Sequence, residues 1–249
     1  MSSFESDILL LESIHPGADG VLVDEGLRVA RAEGSLEGDE LVARLATTRM
    51  VGIRSKTRLT REIIEQAPHL QGIGCFCIGT NQVDLVAAAE HGIAVFNSPF
   101  SNTRSVAEMT LAEIIALHRR LFDRSMRLHN GRWDKSATAA HEVRGRTLGI
   151  VGYGHIGSQI SVLAESLGMR VVYHDILPVM PMGNARACRD LDELLERSDI
   201  VTLHVPETES TRHLIGAAQL QRMKPSAALI NNARGSVVDL AALRDALQA

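Results

Sequence analysis

The chain is poor in the residues that mark several specialised classes of protein. Aromatic side chains make up 3% of its 249 residues, and three cysteines are too few, and odd in number, for a disulfide framework. The net charge is −4, no block of like charges stands out, and no apolar segment is long enough to span a membrane. These absences argue against a secreted disulfide scaffold, a membrane protein and a nucleic-acid-binding surface. Since the first residues also lack a signal-peptide pattern, we predict a cytoplasmic protein.

Metal-binding patterns are missing as well. The ten histidines are scattered without the paired spacing of a zinc helix, and Cys75 and Cys77 have no second cysteine pair nearby. We therefore predict no metal site, and we expect both cysteines to pack as small apolar side chains in a strand.

The sequence does contain short apolar segments that alternate with segments of helical periodicity. Such alternation is typical of a parallel sheet covered on both faces. Residues 1–100 and residues 101–249 both show it, and the break between them lies near Asn97 to Asn102, where proline and short polar residues interrupt the pattern. We therefore predict an α/β protein of two domains. An apolar stripe just after the break predicts one long helix from Ser105 to Leu128.

A glycine pattern in the second half carries the strongest chemical signal. Gly152, Gly154 and Gly157 lie between an apolar strand and a segment of helical spacing, and the next strand leads to Asp175. In a dinucleotide-binding turn the first glycine permits the tight turn, the second lets the backbone approach a pyrophosphate, and the third lets the helix pack on the strand. The helix N-terminus then favours the negative pyrophosphate.

In this interpretation Asp175 determines which of the two nicotinamide dinucleotides binds. Its carboxylate can accept hydrogen bonds from an adenosine ribose, and its charge would repel a 2′-phosphate, so we predict NAD rather than NADP. The alternative is a structural glycine turn, with Asp175 an ordinary acid at a strand end.

Further motifs give the chain a specific resemblance. They are Ile53 to Thr57, Gly79 to Asp84, Phe100 to Glu108, Gly152 to Gly157, Leu203 to Glu207 and Leu229 to Gly235. With these motifs the chain resembles the D-isomer specific 2-hydroxyacid dehydrogenase family, and in particular its branch that oxidises D-3-phosphoglycerate with NAD in serine biosynthesis. The resemblance implies a flavodoxin-like substrate-binding domain in residues 1–100. It also implies a Rossmann-type NAD-binding domain in residues 101–249, incomplete at its C-terminal end.

The resemblance also assigns roles to single residues. Arg234 matches the catalytic arginine, whose planar fork suits a substrate carboxylate. Arg54, Ser55 and Asn102 match substrate-binding positions, and Lys56 adds positive charge suited to a phosphate. For Arg54, Ser55 and Lys56 the alternative is an ordinary solvated surface loop. The positions that match cofactor contacts are Gly152, Gly154, His155, Ile156, Gly157, Asp175, His204, Val205, Pro206, Asn232 and Ala233.

The proton-transfer residues of the family have no counterpart among the residues of this chain. The resemblance places a glutamate and a histidine for general acid–base catalysis beyond Ala249, so we expect the chain alone to be inactive. It further implies a homo-oligomer formed through the NAD-binding domain, with Leu121 to Ser136 as a candidate contact. Two alternative functions remain: a non-catalytic NAD-binding or subunit-interaction module, and a dehydrogenase for another D-2-hydroxyacid or a related small acid, such as glycerate, lactate or formate.

Overall fold

The computed structural model describes Phe4 and residues 6–248, and the chain divides into two compact units between Ser101 and Asn102. In its described residues the first unit contains five short parallel strands and four helices. The strands are β1 (Ile8–Leu10), β2 (Val29–Arg31), β3 (Met50–Ile53), β4 (Gly72–Cys75) and β5 (Ala94–Asn97). The helices are α1 (Gly17–Asp24), α2 (Gly38–Leu45), α3 (Arg61–Glu65) and α4 (Leu85–Glu90).

The first sheet has the strand order β2-β1-β3-β4-β5, and every pair is parallel. This is the flavodoxin-like order that the resemblance predicted. Because helices cover the sheet, its central strands are buried and apolar, as in Leu9, Val51 and Ile73, which are completely buried in one core. Cys75 lies in the same core, as predicted, whereas the prediction for Cys77 is wrong in part: it lies beyond the end of β4, is half-buried, and its thiol contacts the carbonyl of Gly79.

The second unit, described up to residue 248, also contains five parallel strands. They are β6 (Thr147–Val151), β7 (Arg170–His174), β8 (Arg186–Ala187), β9 (Ile200–Leu203) and β10 (Ala228–Asn231). Its helices are α5 (Thr103–Arg119), α6 (Leu121–His129), α7 (His155–Ser166), α8 (Leu191–Arg197), α9 (Ala217–Arg222) and α10 (Leu240–Gln248). The strand order is β10-β9-β6-β7-β8, which corresponds to the first five positions of the Rossmann order. The predicted α/β class is therefore confirmed.

The prediction of one long helix from Ser105 to Leu128 is wrong. The structure has two helices, α5 and α6, because Arg120 between them adopts the left-handed conformation with φ 54°. The guanidinium of Arg120 pairs with Asp123 at 2.8 Å in the first turn of α6. Apolar residues continue on both sides of the break, so periodicity alone could not detect it.

The short elements α1 and β8 were also not predicted. No helix in the described part of the chain is both long and apolar enough to cross a membrane.

Candidate functional site

Four predicted cofactor positions lie at one edge of the second sheet. Gly152, Asp175, His204 and Asn232 are each the first residue after a strand: β6, β7, β9 and β10 respectively. The strands are parallel and in register there, since Val151 pairs with both His174 and Leu203, and Leu203 pairs with Asn231. Open α/β sheets bind their ligands outside the carboxyl ends of the strands. The register therefore gathers these positions where a ligand is expected.

Two of the fingerprint glycines are required by the packing of the chain itself. Gly152 has φ +90°, and a Cβ there would lie 2.6 Å from the backbone oxygen of His204. A Cβ on Gly157 would lie 2.3 Å from the backbone oxygen of Gly152. Both distances are shorter than any real contact, so these glycines allow the turn and bring α7 against β6.

Gly154 differs from the other two glycines. It is exposed, its φ of −76° is open to any residue, and a Cβ there would meet nothing within 4 Å. The space beside it lies at the N-terminus of α7, which begins at His155 and whose first backbone N–H groups have no carbonyl partner within the helix. The packing of the chain does not require glycine here, but a pyrophosphate approaching the backbone would. The turn therefore fits a dinucleotide.

Asp175 is fixed by backbone groups on both sides of its carboxylate. Its Oδ2 accepts a hydrogen bond from the N–H of Tyr153 at 2.7 Å, and its Oδ1 accepts one from the N–H of Leu177 at 2.9 Å. Each carboxylate oxygen can accept more than one bond, so capacity remains for ribose hydroxyls. The acid is thus held in place beside the glycine turn.

His204, Val205 and Pro206 follow β9 at the same edge. The backbone of His204 closes against Gly152, and its N–H donates to the carbonyl of Val151 at 2.8 Å. Burial lowers the pKa of His204 to about 4, and its Nε2 lies 2.9 Å from the hydroxyl of Thr202. The imidazole is therefore neutral at physiological pH and adds no charge to this edge of the sheet.

Asn232, Ala233 and Arg234 follow β10. The side-chain amide of Asn232 donates to Glu113 Oε2 at 2.7 Å and to Thr110 Oγ1 at 3.0 Å, both on α5. The N–H of Ala233 donates to Asn231 Oδ1 at 3.1 Å, which shapes the turn after the strand. Arg234 is exposed, and its Nη1 donates to the carbonyl of Ala233 at 2.9 Å.

The predicted substrate-binding residues Arg54 and Ser55 belong to the first unit, where they follow β3 and are exposed. Their loop is held by the buried carboxylate of Glu12, which accepts from the N–H groups of Arg54, Lys56 and Thr57. Asn102 lies in the second unit, exposed, directly before the first residue of α5.

Sequence reasoning missed the residues that hold the predicted ones. Tyr153 lies inside the fingerprint, but its N–H bond to Asp175 is a backbone contact that residue type does not reveal. Glu113 lies 119 positions from Asn232, so no local pattern connects them. Glu12 did carry a signal, because it follows the apolar run of β1 at the same sheet edge at which Arg54 follows β3.

Comparisons with known proteins agree with this geometry. The chain is 54% identical over 248 residues to "D-3-phosphoglycerate dehydrogenase 2" of Saccharomyces cerevisiae, a match that covers 100% of the chain and 53% of the yeast protein. Among solved structures, the TT0316 protein from Thermus thermophilus is 33% identical with a TM-score of 0.87, over 97% of this chain and 78% of that one. D-Lactate dehydrogenase from Aquifex aeolicus, solved with NAD and lactic acid, is 29% identical with a TM-score of 0.85, over 97% of this chain and 73% of that one.

The chain spans about half the length of the yeast relative. Residues 111–249 match the family model for the "D-isomer specific 2-hydroxyacid dehydrogenase, NAD binding domain". That match, together with the fit of the glycine turn, confirms the prediction of NAD as cofactor. The chain belongs to the D-isomer specific 2-hydroxyacid dehydrogenase family.

Proposed function

We propose that the protein carrying this chain oxidises D-3-phosphoglycerate to 3-phosphohydroxypyruvate with NAD, the first step of serine biosynthesis. The observation that carries the proposal is the common sheet edge of Gly152, Asp175 and Arg234, which brings a cofactor turn and an exposed arginine fork to one place in the second unit. Relatives named D-3-phosphoglycerate dehydrogenase, 54% identical in yeast and 48% identical in Escherichia coli, support this choice of substrate.

In this proposal the two parts of the chain have separate tasks. Residues 1–100 form the N-terminal part of a substrate-binding domain, and residues 101–249 form the NAD-binding domain. Asp175 accepts from the adenosine ribose, and the N-terminus of α7 with Gly154, His155 and Ile156 faces the pyrophosphate. His204, Val205 and Pro206 line the adenine side, while Asn232 and Ala233 contact the nicotinamide ribose.

The chemistry divides between the cofactor and the arginine. NAD, when bound, supplies the acceptor for the hydride that leaves the hydroxyl-bearing carbon of the substrate. Arg234 binds the substrate carboxylate through its fork, and its positive charge stabilises negative charge on the substrate oxygen as the hydroxyl proton is removed. Because a guanidinium offers hydrogen-bond donors and no acceptor, Arg234 orients and polarises the substrate rather than removing its proton.

Arg54, Ser55 and Asn102 bind the remaining polar groups of the substrate. The exposed cations Arg54 and Lys56 lie in one loop, and this local positive charge suits a phosphorylated acid better than lactate or formate. The phosphate preference is therefore the part of the proposal that depends on the first unit.

A substrate panel with the full-length protein tests the proposal. With NADH, we expect a higher kcat/KM for phosphohydroxypyruvate than for hydroxypyruvate, pyruvate or glyoxylate, and with NAD we expect oxidation of 3-phosphoglycerate in preference to formate. An equal or higher kcat/KM for an unphosphorylated acid would overturn the choice of substrate. Binding of NADH without turnover of any acid would instead favour a non-catalytic NAD-binding module.

Two further properties belong to the proposal. The exposed apolar side chains of α6 and the following loop support a homo-oligomer through the NAD-binding domain, since Phe122, Met126 and Trp133 are 60%, 61% and 72% exposed. Sedimentation of the protein as a monomer at micromolar concentration would contradict the homo-oligomer.

All three cysteines of the chain are free, which supports a cytoplasmic location.

A further inference from the structure

The loop from Arg54 to Thr57 depends on one buried carboxylate. It follows β3 without regular secondary structure until Leu59, so sheet hydrogen bonds do not satisfy its backbone. Glu12 Oε1 accepts from the N–H of Arg54 at 3.1 Å and of Thr57 at 2.8 Å, and Glu12 Oε2 accepts from the N–H of Lys56 at 2.9 Å. Three of the four loop N–H groups therefore converge on one side chain.

Glu12 occupies a costly position. It is only 7% exposed, and its φ of +58° lies in the left-handed region, which residues with a side chain rarely adopt. A buried carboxylate is unfavourable unless hydrogen bonds stabilise its charge. Burial raises the pKa of Glu12, but hydrogen bonds from Thr57, Lys56 and Arg54 together outweigh it and keep the pKa below its ordinary value. The loop N–H groups therefore stabilise the negative charge of Glu12, and the carboxylate in turn holds the loop backbone.

Gln82 holds the same loop from the carbonyl side. It is 6% exposed, and its Nε2 donates to the carbonyl of Arg54 at 2.7 Å and to the carbonyl of Gly79 at 3.2 Å. The backbone N–H of Arg54 is fixed by Glu12 and its carbonyl by Gln82. The Arg54 side chain consequently extends into solvent from a backbone that is held on both sides.

We propose that Glu12 and Gln82 are positioning residues that hold the Arg54–Thr57 loop in the shape in which Arg54 and Ser55 bind the substrate. The inference rests on the proposed function, because the binding roles of Arg54 and Ser55 belong to it. Both side chains are buried and act through the loop backbone, Glu12 through three N–H groups and Gln82 through the carbonyl of Arg54. Small displacements of substrate-binding groups weaken productive binding strongly, so a loosened loop raises KM before it alters the fold.

The test compares Glu12→Gln and Gln82→Met with wild type in the full-length protein. In Glu12→Gln the amide presents a donor to backbone donors, and Gln82→Met keeps the volume but loses the bonds donated to Arg54, Gly79 and Cys77. We expect KM for the keto acid that wild type reduces best to rise about tenfold in each variant, with kcat changed less than about threefold. The NADH Kd stays unchanged, and amide exchange of residues 54–57 becomes faster.

Two further variants sharpen the test. Glu12→Asp keeps the charge with a shorter reach and should give an intermediate KM, while Glu40→Gln alters an exposed glutamate of α2 and should match wild type. If both Glu12→Gln and Gln82→Met keep KM within twofold, the inference is wrong. It is also wrong if the rise in KM comes only together with losses of NADH affinity and of thermal stability, since that pattern marks general loss of structure. A wild type that prefers an unphosphorylated acid overturns the proposed substrate alone, and one that reduces no keto acid overturns both proposals.

Discussion

The backbone N–H of Tyr153 donates a 2.7 Å hydrogen bond to the carboxylate of Asp175. This contact joins the glycine turn after β6 to the first residue after β7, so the acid and the turn keep a fixed relation to each other. Tyr153 and Tyr173 reinforce it, because their rings stack at 3.8 Å and belong to the buried core beneath the turn. The two features that the sequence offered separately, a glycine pattern and a distant acid, are parts of one structure.

Removal of the Asp175 charge should shift the cofactor preference. In Asp175→Asn the repulsion of a 2′-phosphate disappears, and the hydrogen bonds to the ribose weaken. We expect the ratio of the NADPH Kd to the NADH Kd to fall about tenfold or more, equivalent to at least about 1.4 kcal/mol. Fluorescence titration of both nucleotides measures this ratio. Asp24→Asn, an exposed change in α1, serves as control, and an unchanged ratio in Asp175→Asn would contradict the assigned role.

Glu113 should matter for cofactor binding through Asn232. In Glu113→Ala the Asn232 amide loses its 2.7 Å acceptor and retains the bond to Thr110. A hydrogen bond to a charged group contributes about 1.5–3 kcal/mol, and only part of this reaches NADH because Glu113 acts by orienting Asn232. We therefore expect NADH affinity to fall about threefold to tenfold, equivalent to about 0.7–1.4 kcal/mol. Isothermal titration calorimetry measures the Kd. Glu113→Gln, which keeps an acceptor, should recover most of the affinity; equal loss in both variants would exclude this explanation.

Substitution of Arg234 should affect catalysis and leave the fold intact. Its side chain is exposed, and among the described residues its guanidinium hydrogen-bonds only to the carbonyl of Ala233. Arg234→Lys keeps the charge but loses the planar fork, and we expect kcat/KM of the full-length enzyme to fall about a hundredfold. Thermal unfolding should be unchanged. Arg212→Lys, another exposed arginine, is the control, and near-normal activity of Arg234→Lys would remove this residue from the catalytic assignment.

His204 predicts a specific pH dependence of stability. Because burial lowers its folded-state pKa from 6.5 to about 4, the folded protein binds fewer protons there than the unfolded chain. The contribution of neutral His204 to the free energy of unfolding is fully present above about pH 6.5 and is lost as the pH falls toward 4. Urea unfolding between these pH values should show a shallower loss of stability in His204→Gln than in wild type. An identical slope in the two proteins would show that His204 is protonated equally in both states.

Local patterns made most of the second sheet predictable. The alternation of strand and helix located β6, α7 and β7, and the strand-end rule placed Asp175 at the ligand-binding edge from the sequence alone. Arg120 shows the limit of such patterns: a single left-handed residue divides a helix while the apolar stripe continues across the break.

The supporting contacts of the candidate site could not be predicted in the same way. Glu12 contacts residues 42 to 45 positions away, and Glu113 contacts a residue 119 positions away. The Glu12 contacts depend on which strands become neighbours in the first sheet, and the Glu113 contact depends on how α5 packs against the end of β10. A single sequence states neither relation. The residues expected to touch ligand were therefore easier to name than the residues that hold them.

The NADH affinity of Gly154→Ala tests most directly that the turn from Gly152 to Gly157 holds the cofactor. A Cβ at Gly154 meets nothing within 4 Å, so the variant should unfold at the wild-type temperature. The control Gly20→Ala, whose Cβ also enters open space, lies in α1 and should unfold at the wild-type temperature or slightly above it. We predict that the NADH Kd rises at least about tenfold in Gly154→Ala, because the Cβ occupies the approach of the pyrophosphate, and stays unchanged in Gly20→Ala. Wild-type NADH affinity in a folded Gly154→Ala protein would contradict the account.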